Sequence, residues 1–74
     1  MQIFIIHNQT IVIDCEPNNK ISWIKMKVEM KTGIPFHMQK LIRSGKILDD
    51  CMTLESYGIH NTDCLHLSTK TRGD

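Results

Sequence analysis

Ile3 and Ile5, then Ile11, Ile13 and Cys15, share one phase of a two-residue alternation, while Gln2, Thr10, Asp14 and Glu16 fall on the other. A period of two belongs to a half-buried β-strand, and slipping it by one residue would turn all of these isoleucines to solvent. Only His7-Asn8-Gln9 parts the two runs. A connection that short joins direct neighbours, so Met1 to Glu16 is predicted to form an antiparallel hairpin with Ile3, Ile5, Ile11, Ile13 and Cys15 on its buried face. That face has to be covered by the rest of a small chain. The 74 residues leave room for one domain, because a chain of this length buries only a little over ~60% of its unfolded surface. Cys15, Cys51 and Cys64 are odd in number and contain no C-x-x-C pair. No disulfide staple is expected, and the apolar periodicity must carry the fold.

The cover comes next in the chain. Pro17-Asn18-Asn19 is a break rich in turn formers, and Ile21 to Lys31 then runs without Gly or Pro until Gly33, a residue suited to the left-handed position after a helix. A helix starting at Asn19 or Lys20 is predicted, with Ile21, Ile24 and Val28 on the face that lies on the sheet. Trp23, Met26 and Met30 form a second apolar stripe almost opposite the first, where an amphipathic helix normally carries charge. This stripe has no core to face, so it is read as a second interface, against the plainer alternative that Trp23 is a local lid over the loop at Cys51 and Met52.

Proline at position 35 ends the helical segment. Leu41-Ile42-Arg43 reads as a third strand, and Ser44-Gly45 turns the chain into Lys46-Ile47-Leu48. After the segment Leu54 to Gly58, a last strand from Cys64 to Thr69 points Leu65 and Leu67 inward and Cys64, His66 and Ser68 outward. The ββαββ order specifies an α+β fold of the β-grasp type, a mixed sheet with one helix packed across one face and the other face left to solvent or partners. Residues 1–69 make the domain, and residues 70–74 a flexible C-terminal tail.

Several function classes are set aside by composition. Nine Lys and Arg against eight Asp and Glu leave a net charge of +1, without the concentrated basic patch that nucleic acid requires. The longest apolar run, Ile3 to Ile6, is far short of the ~20 residues of a spanning helix, and no membrane association or export is expected. The glycines are isolated, so no phosphate loop and no small-molecule substrate or cofactor is expected. His60, Cys64 and His66 lack a fourth ligand for zinc. No cysteine has a histidine and carboxylate at a recognisable spacing, so the chain is not expected to be an enzyme. Asn8-Gln9-Thr10 spells a glycosylation sequon and Arg72-Gly73-Asp74 an integrin-binding tripeptide, yet both need an extracellular protein. The unpaired cysteines instead point to reducing surroundings, in the cytoplasm and nucleus.

Met1-Gln2-Ile3-Phe4, Gly33-Ile34-Pro35, Gln39 with Leu41-Ile42, Gly45-Lys46, Thr53-Leu54, Tyr57, Leu65-His66-Leu67 and Arg72-Gly73 together resemble the ubiquitin family, nearly without gaps from Met1 to Gly73. The resemblance implies a ubiquitin-like fold and a protein read by other proteins, namely ubiquitin-receptor-type proteins or ubiquitin-pathway enzymes. Ile42 and His66 match two members of the family's outward recognition patch, Ser68 replaces a valine there, and Ile6 stands where the family has a lysine. Lys46 and Lys27 match acceptor lysines. Lys25 matches a lysine that pairs with the acid at Asp50. In the tail, Arg72 and Gly73 keep the family pattern, whereas Asp74 adds a side chain and a charge where an activating enzyme expects a terminal glycine. Noncovalent recognition in the ubiquitin pathway is therefore the expected function. The alternatives are a covalent modifier attached through Gly73 after trimming, and an N-terminal ubiquitin-like domain of a longer protein.

Overall fold

Gln2–His7 (β1) and Gln9–Asp14 (β2) pair antiparallel in a computed structural model that describes residues 1–69. Ile3 faces Ile13 and Ile5 faces Ile11, so the alternation sets the register as predicted. His7 pairs with Gln9, which leaves Asn8 alone at the tip with a φ of 60°. Asparagine tolerates that left-handed geometry better than most residues.

Ile21–Thr32 forms α1, and Ile21, Ile24 and Val28 are fully buried against the sheet. Lys20 occupies the cap position without a side-chain cap bond. The first-turn amides, which have no partner within the helix, find backbone acceptors in the loop at 50–52 instead: Ile21 N donates to Met52 O at 2.9 Å and Ser22 N to Asp50 O at 3.1 Å. This loop thereby does the work of an N-cap. At the other end Gly33 takes a φ of 79° and donates its N–H to Glu29 O, closing the helix.

A 3-10 turn at Phe36–Met38 leads into β3 (Gln39–Arg43), then β4 (Lys46–Ile47), a second 3-10 turn at Glu55–Tyr57, and β5 (Cys64–Thr69). The sheet order is β2-β1-β5-β3-β4, with β5 parallel to β1 and antiparallel to β3. This is the mixed β-grasp sheet with α1 across one face. The ββαββ order is amended in one respect: the two residues of β4 pair with Ile42 and Arg43 and add a fifth, very short strand. A segment that brief falls below what alternation can reveal.

Ile3, Ile5, Ile21, Ile24, Leu41, Leu54 and Leu65 are fully buried between helix and sheet. Two polar residues join them. Lys25 and Gln39 are buried, and the Gln39 amide donates to Lys25 O at 2.9 Å and to Ile34 O at 3.0 Å, tying the helix to the chain that follows it. No helix among the described residues is long and apolar enough to cross a membrane. The tail at 70–74, with Arg72, Gly73 and Asp74, lies outside the described residues.

Candidate functional site

Because Ile5, Leu41 and Leu65 point into the core, their neighbours Ile6, Ile42 and His66 point out of the sheet's other face. The register then aligns them. His66 on β5 is opposite Ile6 on β1 and opposite Ile42 on β3. Ile6 faces Thr10 on β2, and Ile42 faces Ile47 on β4. Directly opposed residues stand about 5 Å apart, so Thr10, Ile6, His66, Ile42 and Ile47 form one row across the whole sheet. Ile6 and Ile42 are half-buried, whereas His66 is exposed and Ile47 keeps 60% of its surface open to water.

Ser68 lies on the same face, opposite Lys40 and next along the strand from His66. On the other side of the row, Phe4 is opposite both Val12 and Cys64, which extends the apolar surface toward the hairpin. Ile47 is the member that sequence reasoning missed. Its signal was nonetheless present in the turn: Ser44 and Gly45 both have positive φ, 53° and 76°, as a two-residue hairpin turn requires. Counting back across such a turn places residue 47 opposite residue 42.

Lys46 is exposed beside this turn and pairs with Arg43, while Arg43 itself donates to Tyr57 O at 2.8 Å and meets Asp63 at 3.3 Å. Lys27 is half-buried, with its ammonium 5.1 Å from the centre of the Trp23 ring. Lys25 reaches Asp50 at 2.6 Å, the pairing that the resemblance implies.

The second stripe divides. Met26 and Met30 are exposed, at 44% and 72%, but Trp23 is half-buried and packs against the edge of the core. The expectation that the stripe has no core to face is thus corrected for Trp23. Trp23 lines one hollow with Met1, Asp14, Cys15 and Glu16 at the end of β2, and a second with Met26 and Phe36. An aromatic side chain is large enough to reach a core edge from a helix flank that a smaller residue would leave in water.

Among the described residues no three His, Cys, Asp or Glu side chains converge on a point that could hold a metal ion. Burial pushes the Cys15 thiol above its ordinary range, against a smaller opposing pull from the Met1 ammonium, so it is held protonated and unreactive.

Known proteins share this sequence pattern. The profile of the ubiquitin family matches residues 3–72. Ubiquitin-like protein 1 of Schizosaccharomyces pombe is 44% identical over 63 residues, covering 85% of this chain and 81% of that protein. Ubiquitin-like protein NEDD8 of Dictyostelium discoideum is 43% identical over 63 residues, covering 85% and 82%. Ubiquitin domain-containing protein DSK2 of Saccharomyces cerevisiae is 38% identical over 55 residues, which are 74% of this chain but 15% of that protein.

Proposed function

This chain belongs to the ubiquitin family, and from that membership we propose that it acts by noncovalent protein–protein recognition in the ubiquitin pathway, through the outer face of its sheet. The observation that carries the proposal is the continuous row from Ile6 through His66 and Ile42 to Ile47. Its partners are ubiquitin-receptor-type proteins or ubiquitin-pathway enzymes, and the chain itself is a recognition module, not an enzyme. Ser68 makes the upper part of the face more polar, at a cost to docking on the order of 1 kcal/mol for a lost apolar contact. Ile6 and Ile47 offset that loss by widening the apolar row to either side of His66 and Ile42. The same reading puts the protein in the cytoplasm and nucleus, which the free thiols of Cys15, Cys51 and Cys64 support.

The test is a titration of the chain with a purified ubiquitin-receptor domain. Ile42→Ala and Ile47→Ser should each weaken binding roughly 5- to 10-fold, the equivalent of about 1–1.4 kcal/mol, with little change in the thermal melt. Undiminished affinity in Ile42→Ala would end this reading.

Coverage of more than four-fifths of ubiquitin-like protein 1 and NEDD8 favours a second reading, attachment as a covalent modifier through Gly73. Gly73 is followed by Asp74, so that chemistry calls for cleavage after Gly73. Incubating the trimmed chain with activating enzyme and ATP distinguishes the two readings, since a thioester forms only under the second. The match to a small part of DSK2 favours a third, a ubiquitin-like domain at the head of a longer polypeptide, which sequencing the full transcript would decide.

A further inference from the structure

The side of α1 turned away from the sheet carries a surface that the sheet-face reading leaves unused. At 100° per residue Trp23, Met26 and Met30 lie within about 60° of one another, on a ridge about 10 Å long. Met26 and Met30 are exposed, and Trp23, Met26 and Phe36 are the apolar lining of an open groove of about 500 Å³ shared with four polar residues at the start of the helix. A recess of that size admits apolar side chains from another molecule.

On the helix itself the charge has one sign on one flank, while Asp14 and Glu16 border Trp23 from the end of β2. The helix and its cap residue bring Lys20, Lys25, Lys27 and Lys31 against the lone acid Glu29. Lys25 is turned inward and held by Asp50. The other three fall within about 40° of one another along the helix, on the flank opposite Glu29, and none of them pairs with a carboxylate among the described residues. Lys27 stacks its ammonium on Trp23, which sets positive charge at the very border of the apolar ridge.

We infer that this helix face docks an acidic amphipathic helix from a partner protein. Apolar side chains of the partner enter the groove between Trp23, Met26 and Phe36 and run along Met30, while its carboxylates meet Lys20, Lys27 and Lys31. A ridge of two helical turns matches the i, i+3, i+4, i+7 spacing of a helix, and unbranched methionines adapt their shape to such a guest. A second copy of this chain does not fit. Its α-helix would set lysine against lysine, and the row from Ile6 to Ile47 has Lys40 beside it and no carboxylate within it. An anionic lipid surface is disfavoured by shape, because Trp23 is partly recessed and does not project.

Trp23 is the chain's one tryptophan, so its emission reads this site directly. The full chain is titrated with a synthetic amphipathic peptide of leucines on one face and glutamates on the other, with the same peptide carrying lysines for glutamates, and with vesicles of phosphatidylserine and phosphatidylcholine. A saturable shift in emission is expected with the glutamate peptide, at least tenfold tighter than with the lysine peptide and weakened by salt. Met30→Asp and Lys31→Glu, both at exposed positions, should weaken it about tenfold. Ile42→Ala should leave it unchanged, which separates this proposal from the sheet-face reading. No saturable shift, equal response to both peptides, or a shift with vesicles alone would overturn it.

Discussion

Lys25 shows how much a partner changes the character of a residue. Its side chain is 9% exposed and lies 5.6 Å from the centre of the Phe36 ring, while Asp50, which receives it at 2.6 Å, is 43% exposed. The two ends of this ion pair are therefore unequal. Removing Asp50 strands an ammonium in a nearly dry site, whereas removing Lys25 leaves a carboxylate whose shielded Oδ1 loses its partner but whose outer side water still reaches. Asp50→Ala is expected to cost about 2–4 kcal/mol, and Lys25→Met about 1 kcal/mol or less, since the methionine refills the buried stem with apolar volume. Urea unfolding of the two variants checks the order, and equal losses would contradict it. Periodicity alone marks Lys25 only as a charge on the core side of the helix. Its partner lies 25 positions away in a loop, so the pair enters the sequence reading through the family resemblance and not through local pattern.

Among the elements, the hairpin and helix are legible because each has to present one continuous apolar face. The phase of Ile3, Ile5, Ile11 and Ile13 leaves one register for β1 and β2, and the spacing of Ile21, Ile24 and Val28 leaves one orientation for α1. β4 is harder to see. Two residues carry no period, and their pairing depends on the conformation of Ser44-Gly45, which sequence composition states only loosely. Serine is a poor occupant of a left-handed position, where asparagine pays less steric penalty. Ser44→Asn should therefore stabilise the chain by roughly 0.5–1 kcal/mol, raise its thermal midpoint, and leave the proposed receptor binding through Ile42 and Ile47 intact. A drop in the midpoint would show that the turn is held by contacts other than its own backbone preference. The split within the second stripe has a similar origin, since helical phase places Trp23 beside Met26 and Met30 but does not say how far an indole reaches.

For the molecule as a whole, the arrangement of strands creates a surface row that no segment contains. Ile6, Ile42 and His66 are far apart in sequence and meet because β5 inserts between β1 and β3. Alternation gives the face of each, and the family resemblance gives Ile42 and His66 a role. The row itself depends on strand order, which a single sequence does not state, whereas Ile47 goes unseen because composition states the Ser44-Gly45 turn that aligns it with Ile42 only loosely. The same central insertion has a mechanical consequence. β1 opens the sheet and its parallel neighbour β5 closes it, so tension between residues 1 and 69 drags the two strands past each other and loads their bonds in shear, all at once. Tension between residues 1 and 14, at the open end of the first hairpin, peels its antiparallel bonds apart in succession. Single-molecule pulling should find a clearly higher rupture force for the first geometry, and a machine that unravels this protein by hauling on one end would meet its stiffest resistance at that seam.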